Sequence, residues 1–156
     1  MNISDKYKSP FAFHGFRVKN MQFTTNESCE GENFQADFDL DSSITYSENV
    51  EERFCTISLY ASLFKKFAAE GKEYPFILEV TVDGYFSALK RDFTTENFSK
   101  IAEKNGVAIL FPYLRSIFCD ASKMANVPPV LIPSINIVEL LRYKREMQNL
   151  IPSTDK

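Results

Sequence analysis

Tryptophan is absent from this chain of 156 residues, and histidine and glycine are scarce, with one His and five Gly. A glycine-rich phosphate-binding loop needs several glycines close together, so this scarcity argues against a nucleotide-binding enzyme. The single histidine, His14, has no second histidine beside which to act, and a Cys–His pair would need a distant cysteine to approach it. We therefore predict that the protein uses no metal or other cofactor and is not an enzyme.

Cysteine is also rare: Cys29, Cys55 and Cys119 are odd in number and widely spaced. This pattern fits neither a disulfide framework nor a zinc site. No apolar run approaches the roughly 18 residues that span a membrane, and we expect no secretory signal at the N-terminus. A reducing cytoplasm is the predicted compartment.

An excess of basic charge is missing as well, because 18 Lys and Arg face 21 Asp and Glu for a net charge of −3. Nucleic-acid binding is therefore not expected, since phosphate contacts need clustered cations. What the chain does have is apolar mass: hydrophobic residues make up 44%, including 15 Phe and 7 Tyr. This is enough for one domain with a core, and the surplus of phenylalanine indicates an interface or a binding groove.

Alternation of apolar and polar residues predicts four strands, over residues 15–25, 34–46, 53–67 and 74–89. The apolar phase changes inside the first strand, which predicts a bulge near Lys19–Asn20. Short turns between strands predict an antiparallel meander. The second strand alternates most clearly, and its apolar face comprises Phe34, Ala36, Phe38, Leu40, Ile44 and Tyr46.

The period changes to helical after Arg91. Thr94 or Thr95 can cap a short helix over residues 96–104, with Gly106 as its expected stop. The run VAILFPYLRSIF then predicts a helix over residues 111–125, with Pro112 in its first turn, where the missing N–H needs no partner.

A proline-rich stretch, NVPPVLIPS, must be extended, and a last helix begins near Asn136, which forms a capping box with Glu139. Strands followed by helices predict an α+β fold: a four-stranded antiparallel sheet followed by helices packed on it. We expect one domain over residues 14–151, with flexible segments at residues 1–13 and 152–156.

Three carboxylates, Asp37, Asp39 and Asp41, share one face of the second strand. They could bind a cation weakly, but no glycine-containing calcium loop accompanies them. A small-molecule enzyme therefore rests only on these acids and the leftover cysteines.

The order of these elements and several particular residues match a known family. The strongest matches are Ile109-Leu110-Phe111-Pro112-Tyr113 with Arg115, then Pro133, and Asn136 with Leu140. Further agreement lies in Phe23, in the triplet Asp39-Leu40-Asp41, in Glu79 and in Phe86-Ser87. With these features the sequence resembles the SecB family of bacterial export chaperones. The likeness runs from about residue 15 to 145 and is dense from 107 to 141.

The resemblance implies a homotetramer, a dimer of dimers, that holds unfolded polypeptides in apolar grooves without ATP, metal or covalent chemistry. Such a role covers protein export or the guarding of a dedicated client such as an antitoxin. Carried over by position, the client-binding residues are Ala36, Phe38, Leu40, Ile137, Leu140 and Leu141. From exposure alone we add Phe34, Tyr60, Phe64 and Tyr74 as weaker candidates.

In this family an acidic patch on the sheet recruits the SecA motor. The corresponding surface here comprises Asn20, Thr24, Ile77 and Glu79, so two patch positions are uncharged. Loss of carboxylates weakens a charge-complementary interface. The alternative function is therefore a non-chaperone scaffold or regulatory subunit that binds one folded partner through the same surface.

Overall fold

A four-stranded antiparallel sheet, covered on one face by helices, forms the fold in the computed structural model, which describes residues 7–31, 34–35 and 37–150. Among these residues the predicted fold class is confirmed. Helices cover the face on which β3 and β4 carry their alternating apolar side chains, such as Ile57 and Val80. The strands are β1 Ala12–Thr25, β2 Phe38–Glu48, β3 Glu52–Leu63 and β4 Phe76–Leu89.

The strand order is β1-β4-β3-β2, so the predicted meander is correct for β2, β3 and β4 but wrong for β1. β1 pairs with β4, and Asn26 and Phe34 of the connection from β1 to β2 contact the end of the sheet where β4 begins and β3 ends. Alternation identifies a strand and its buried face, but it carries no information about which strand lies beside it.

The predicted bulge in β1 is confirmed, because Val18 pairs with Val82 and Asn20 with Thr81, which leaves Lys19 as the extra residue. β1 begins earlier than predicted. Phe11 is buried and stacks on Phe86 with ring centroids 5.1 Å apart. Residues 11–13 are therefore part of the sheet and its core rather than of a flexible segment; residues 1–6 and 151–156 lie outside the described residues.

The predicted ends of two other strands also need correction. β2 begins at Phe38, and the described residues among 34–37 are irregular. β3 ends at Leu63, because Phe64 adopts a left-handed backbone with φ 61° and opens helix α1, Lys65–Ala69. The predicted strand to residue 67 is wrong, since a left-handed residue cannot continue a strand.

The helical region after β4 is more continuous than predicted. Thr94 caps α2, Thr95–Ile101, as expected, with its side chain accepting a hydrogen bond from the N–H of Asn97 at 3.2 Å. A π-helical turn, Ala102–Gly106, then leads directly into α3, Val107–Met124. Gly106 therefore does not end a helix. A methyl group on it would overlap with Cδ1 of Ile57, so its lack of a side chain lets this turn approach β3 closely.

Pro112 lies inside α3 rather than at its start, so the predicted start of this helix is wrong. The ring removes one helical hydrogen bond, to the carbonyl of Ala108. Both Pro112 and Ala108 are exposed, and water can reach the unpaired carbonyl. The opposite face of α3 packs on the sheet through Leu110, Leu114 and Phe118, each fully buried.

The last helix, α4, spans Ile137–Leu150. Asn136 caps it, with Oδ1 accepting a hydrogen bond from the N–H of Glu139 at 3.2 Å, as the sequence predicts. Between α3 and α4 the described chain has no regular structure over residues 128–136. No helix in the described part of the chain combines the length and apolarity that a membrane span requires.

Candidate functional site

An apolar cavity of about 480 Å³ opens at the end of the sheet where β3 ends and β4 begins. We call it the Phe–Pro cavity. One wall is formed by phenylalanines and the other by the proline-rich segment between α3 and α4. Its lining residues are Phe23, Thr25, Gly31, Phe34, Leu63, Phe64, Pro75, Phe76, Val127, Pro128, Pro129, Val130 and Leu131.

The phenylalanine wall is continuous because strand ends and a tight loop bring four rings together. Phe23 of β1 stacks on Phe76 of β4 at 5.0 Å, and Phe76 meets Phe64 edge-on at 5.4 Å. Phe34 reaches Phe64 at 6.1 Å. Its ring lies 2.8 Å from where a Cβ on Gly31 would stand, so only glycine admits this approach.

The proline wall is anchored to α3. Ser122 Oγ accepts a hydrogen bond from the N–H of Val130 at 2.9 Å, and Arg115 Nε donates to the carbonyl of Ile132 at 2.9 Å. Pro128 and Pro129 lack N–H groups, so this stretch presents few donors to a bound chain. Leu131, with 78% of its surface exposed, extends the wall into solvent.

Two of the four weaker candidates, Phe34 and Phe64, line the Phe–Pro cavity, and Tyr60 and Tyr74 do not. Tyr60 lies on the opposite face of the sheet, where its hydroxyl donates to Glu79 at 2.8 Å. Tyr74 is half-buried, and its carbonyl accepts a hydrogen bond from Asn26 at 2.8 Å. The contribution of residues 127–131 was missed, although three prolines in nine residues signalled a segment unable to join the sheet or a helix.

The described residues among those carried over by position lie elsewhere, between β2 and α4. Ala36 is outside the described residues, and Phe38 and Leu140 are half-buried. The other three belong to the core, with exposed fractions of 1% for Leu40, 4% for Ile137 and 2% for Leu141. They offer no free surface while α4 covers β2.

Lys144 fixes α4 over this edge of the sheet. Its Nζ donates to the carbonyl of Leu40 at 2.5 Å and pairs with the carboxylate of Asp39. The neighbouring acids are engaged separately: Asp37 accepts from the N–H of Phe67 at 3.0 Å, and Asp41 from the N–H of Ser42 at 2.8 Å. These carboxylates therefore do not converge on a common point.

Asn20, Thr24, Ile77 and Glu79, which we call the SecA-type surface, lie together on the outer face of β1 and β4. Thr24 pairs directly with Ile77, and Asn20 and Glu79 flank that pair along the same face. Glu79 is not a free negative charge, because Lys65 Nζ donates to it at 2.5 Å and Tyr60 at 2.8 Å. The hydrogen bond from Lys65 is the main cause that lowers the pKa of Glu79 from its ordinary 4.5.

The ion pair between Lys65 and Glu79 makes the stability of the fold depend on pH. Since the pKa of Glu79 is lowered by folding, the pair stabilises the fold above pH 4.5 and loses its effect as the pH falls through the folded-state pKa. We expect Glu79→Gln to cost at most about 1 kcal/mol at pH 7, because Lys65 is half exposed to solvent, and we expect a smaller cost at pH 3.

Urea unfolding at the two pH values measures this difference. Glu27→Gln, at an exposed loop position, serves as the control and should be neutral at both. An equal cost of Glu79→Gln at pH 3 and pH 7 would contradict the assignment.

A second exposed apolar surface, which we call the β1–α3 face, lies at the β1 edge of the sheet. On β1 the exposed fractions are 37% for Phe16, 43% for Val18 and 47% for Met21. Tyr113 of α3 is 40% exposed and packs on Phe16 with ring centroids 4.5 Å apart. A contiguous apolar surface beside an unpaired strand edge is typical of protein–protein contact.

The chain is similar in sequence to one known protein and in fold to another. It is 32% identical over 145 residues to an uncharacterized protein of Methanocaldococcus jannaschii, covering 90% of this chain and 88% of that protein. Its fold is similar to that of the Mycobacterium tuberculosis SecB-like chaperone Rv1957, solved in complex with a ChAD peptide from the HigA1 antitoxin. That match has a TM-score of 0.58 and 15% identity, and covers 80% of this chain and 90% of the other.

The family described as "Preprotein translocase subunit SecB" matches residues 5–149 of the sequence. This range includes every strand and nearly all of the helical region. The chain therefore belongs to the SecB family of chaperones.

Proposed function

We propose that the protein is an ATP-independent holdase that binds unfolded polypeptides and anchors their large apolar side chains in the Phe–Pro cavity. The size and apolar lining of the cavity are the observations that support this proposal. Its volume of about 480 Å³ lies in the range of ligand sites, and both walls are apolar. Apolar burial is non-directional, so such a site accepts many sequences and needs no nucleotide to make binding favourable.

The client surface extends in this proposal from the cavity to the boundary of β2 and α4. Phe38 and Leu140 are accessible in part. Contact with Leu40, Ile137 or Leu141 requires α4 to leave β2, which breaks the two interactions of Lys144. Client contact at Ala36 remains a prediction from position alone.

We further propose that the protein acts in the cytoplasm on a dedicated client such as an antitoxin, in preference to a role in export with SecA. The paired state of Glu79 and the uncharged Asn20 and Thr24 give the SecA-type surface little attraction for a basic partner. The antitoxin peptide bound to the structurally similar mycobacterial chaperone supports a client of this kind.

The assembly proposed is a homotetramer, a dimer of dimers, in which the β1–α3 face is covered by other copies. Four exposed apolar side chains and an unpaired strand edge make burial of this surface favourable: Phe16, Val18, Met21 and Tyr113. The Phe–Pro cavity has its own separate lining, and self-association need not cover it.

Suppression of aggregation tests the holdase function. At a stoichiometric ratio, the protein should keep a reduced, unfolded client in solution without ATP. We expect Leu131→Asp to weaken client binding about ten-fold, because it places a carboxylate in the apolar wall.

The matched control is Val50→Asp, which adds the same charge at a position that is 91% exposed, in the turn between β2 and β3, at the other end of β3 from the cavity. It should leave suppression unchanged. Absence of suppression by the unmodified protein would refute the holdase function, and equal loss in both variants would refute the role of the cavity.

The alternative, a scaffold that binds one folded partner through the outer face of the sheet, is favoured by the internal pairing of charges there. Asp83 is 4% exposed, accepts from Ser58 at 2.5 Å and lies 3.8 Å from the guanidinium of Arg17, so its charge is paired within this face. Affinity capture distinguishes the two functions. Many unfolded clients support the holdase, and one folded partner lost on Thr24→Arg supports the scaffold.

A further inference from the structure

Phe64 has a backbone conformation that is unusual for a bulky residue. Its φ of 61° and ψ of 6° lie in the left-handed region, which aromatic side chains rarely occupy. Strained residues of this kind persist only where surrounding contacts fix them, and they concentrate at binding sites. Phe64 lines the Phe–Pro cavity, and its side chain is a candidate for a role beyond core packing.

Backbone hydrogen bonds on both sides hold Phe64 in place. Its N–H donates to the carbonyl of Asp37 at 2.8 Å, and its own carbonyl accepts from the N–H of Ala68 at 3.1 Å. The carboxylate of Asp37 also accepts from the N–H of Phe67 at 3.0 Å. The turn that contains Phe64 is thus fastened both to the segment before β2 and to α1.

The left-handed backbone decides which way the ring points. In a regular strand, Phe64 would face opposite to Leu63, toward the outer face of the sheet. Instead both residues are buried, at 2% for Leu63 and 5% for Phe64. The Phe64 ring stands between Phe34 on one side and Phe67 and Phe76 on the other. It therefore forms a fixed floor of the cavity, with Phe67 beyond the lining.

We infer that Phe64 is a specificity-determining residue: its fixed ring sets the depth of the cavity and hence the largest client side chain that fits. This inference deepens the proposed holdase function and rests on it. The hydrogen-bonded turn fixes the direction of the Cα–Cβ bond of Phe64, and its ring is buried, so this floor cannot retreat to admit a larger group. The affinity of the cavity for different client side chains then depends on its depth and not on charge, because the described lining contains no ionisable group.

The affinities of short peptides measure how the cavity discriminates between side chains of different size. The probes are glycine–serine peptides with one central Leu, Phe or Trp, titrated against the full chain and followed by NMR shifts of the cavity residues. In Phe64→Ala the affinity ratio of the Trp to the Leu peptide should rise about ten-fold over the unmodified protein, because the floor is lowered. Phe64→Leu should give a smaller rise, and it keeps the experiment decisive if the alanine variant does not fold.

Phe67→Leu is the matched control, since Phe67 contacts the Phe64 ring but does not line the cavity. It should leave the ratio unchanged. An unchanged ratio in both Phe64 variants would overturn the inference, as would an equal rise in the control. A cavity found to be filled by a second copy of the chain would also overturn it.

Toluene and indole separate this inference from the proposed function, because they probe the cavity without any client. If the protein fails to hold unfolded polypeptides but Phe64→Leu still shifts binding from toluene toward indole, only the holdase function is lost. If client holding is present and neither variant shifts the ranking, only the specificity role is lost. Binding of neither compound and no peptide to the cavity overturns the inference.

Discussion

A chain that carries Val18→Asp and Met21→Asp is expected to behave in solution as one or two protomers, whereas the unmodified protein should have about four times the chain mass of 17.9 kDa. Both side chains are nearly half exposed on the β1–α3 face, at 43% and 47%. Covering them by another copy would bury two carboxylates without partners, at a cost of several kcal/mol each. Light scattering coupled to size-exclusion chromatography gives the mass directly.

The control for this experiment uses the other face of the same strand. Asn20→Asp and Gln22→Asp add the same two charges to β1 at exposed positions that pair with Thr81 and Glu79. They should leave the mass unchanged. A monomeric unmodified protein would refute the tetramer, and a mass unaffected by the first pair would move the interface away from the β1–α3 face.

Gly106→Ala is expected to destabilise the fold by about 1–3 kcal/mol, although alanine is the better helix former by about 1 kcal/mol. The added methyl group would overlap with Cδ1 of Ile57, whose side chain is fully buried in the core. The expected sign is therefore opposite to that of helix propensity. Urea unfolding at neutral pH measures the change in free energy.

A double-mutant cycle identifies the cause. Ile57→Val removes the Cδ1 atom that the new methyl group meets, and alone it should cost about 0.5–1.5 kcal/mol. In that background Gly106→Ala should be nearly neutral, so the two substitutions couple strongly. Asn105→Ala, exposed in the same turn, is the control and should not destabilise. If Gly106→Ala costs as much in the Ile57→Val background as in the unmodified protein, the overlap is not the cause.

Local patterns predicted the fold where local physics determines it. Alternation predicted the strands that contain Ile57, Leu59 and Val80, which are buried. The caps at Thr94 and Asn136 were visible because capping needs only a few neighbouring residues. Pro112 was misplaced for a tertiary reason. Packing of Leu110 and Leu114 on the sheet stabilises α3 enough to continue through a proline that short-range rules put at a helix start.

The candidate site was harder to predict, because its walls come from segments far apart in the sequence. Phe34 and Phe64 were added because exposure was expected for them, but nothing local indicated that residues 127–131 face them across a cavity. The positions carried over from the family, such as Leu40 and Leu141, depend on relative placement of β2 and α4. Their burial is a property of that packing, and the sequence pattern of an amphipathic strand or helix is the same whether its apolar face meets solvent or another element.

The order of strands has a consequence for how the molecule is made. β1 is synthesised before the other strands, but its partner β4 is synthesised only after β2 and β3. Ala12 pairs with Ser87 and Thr25 with Phe76, so neither pair can form until β4 has been made. On the ribosome, β2 and β3 can form a hairpin while β1 still has no neighbour. Pairings between such distant segments are slow to form, and an unpaired strand is prone to aggregation in the meantime. The newborn chain of this chaperone is thus itself, for a time, an extended apolar polypeptide of the kind it is proposed to bind.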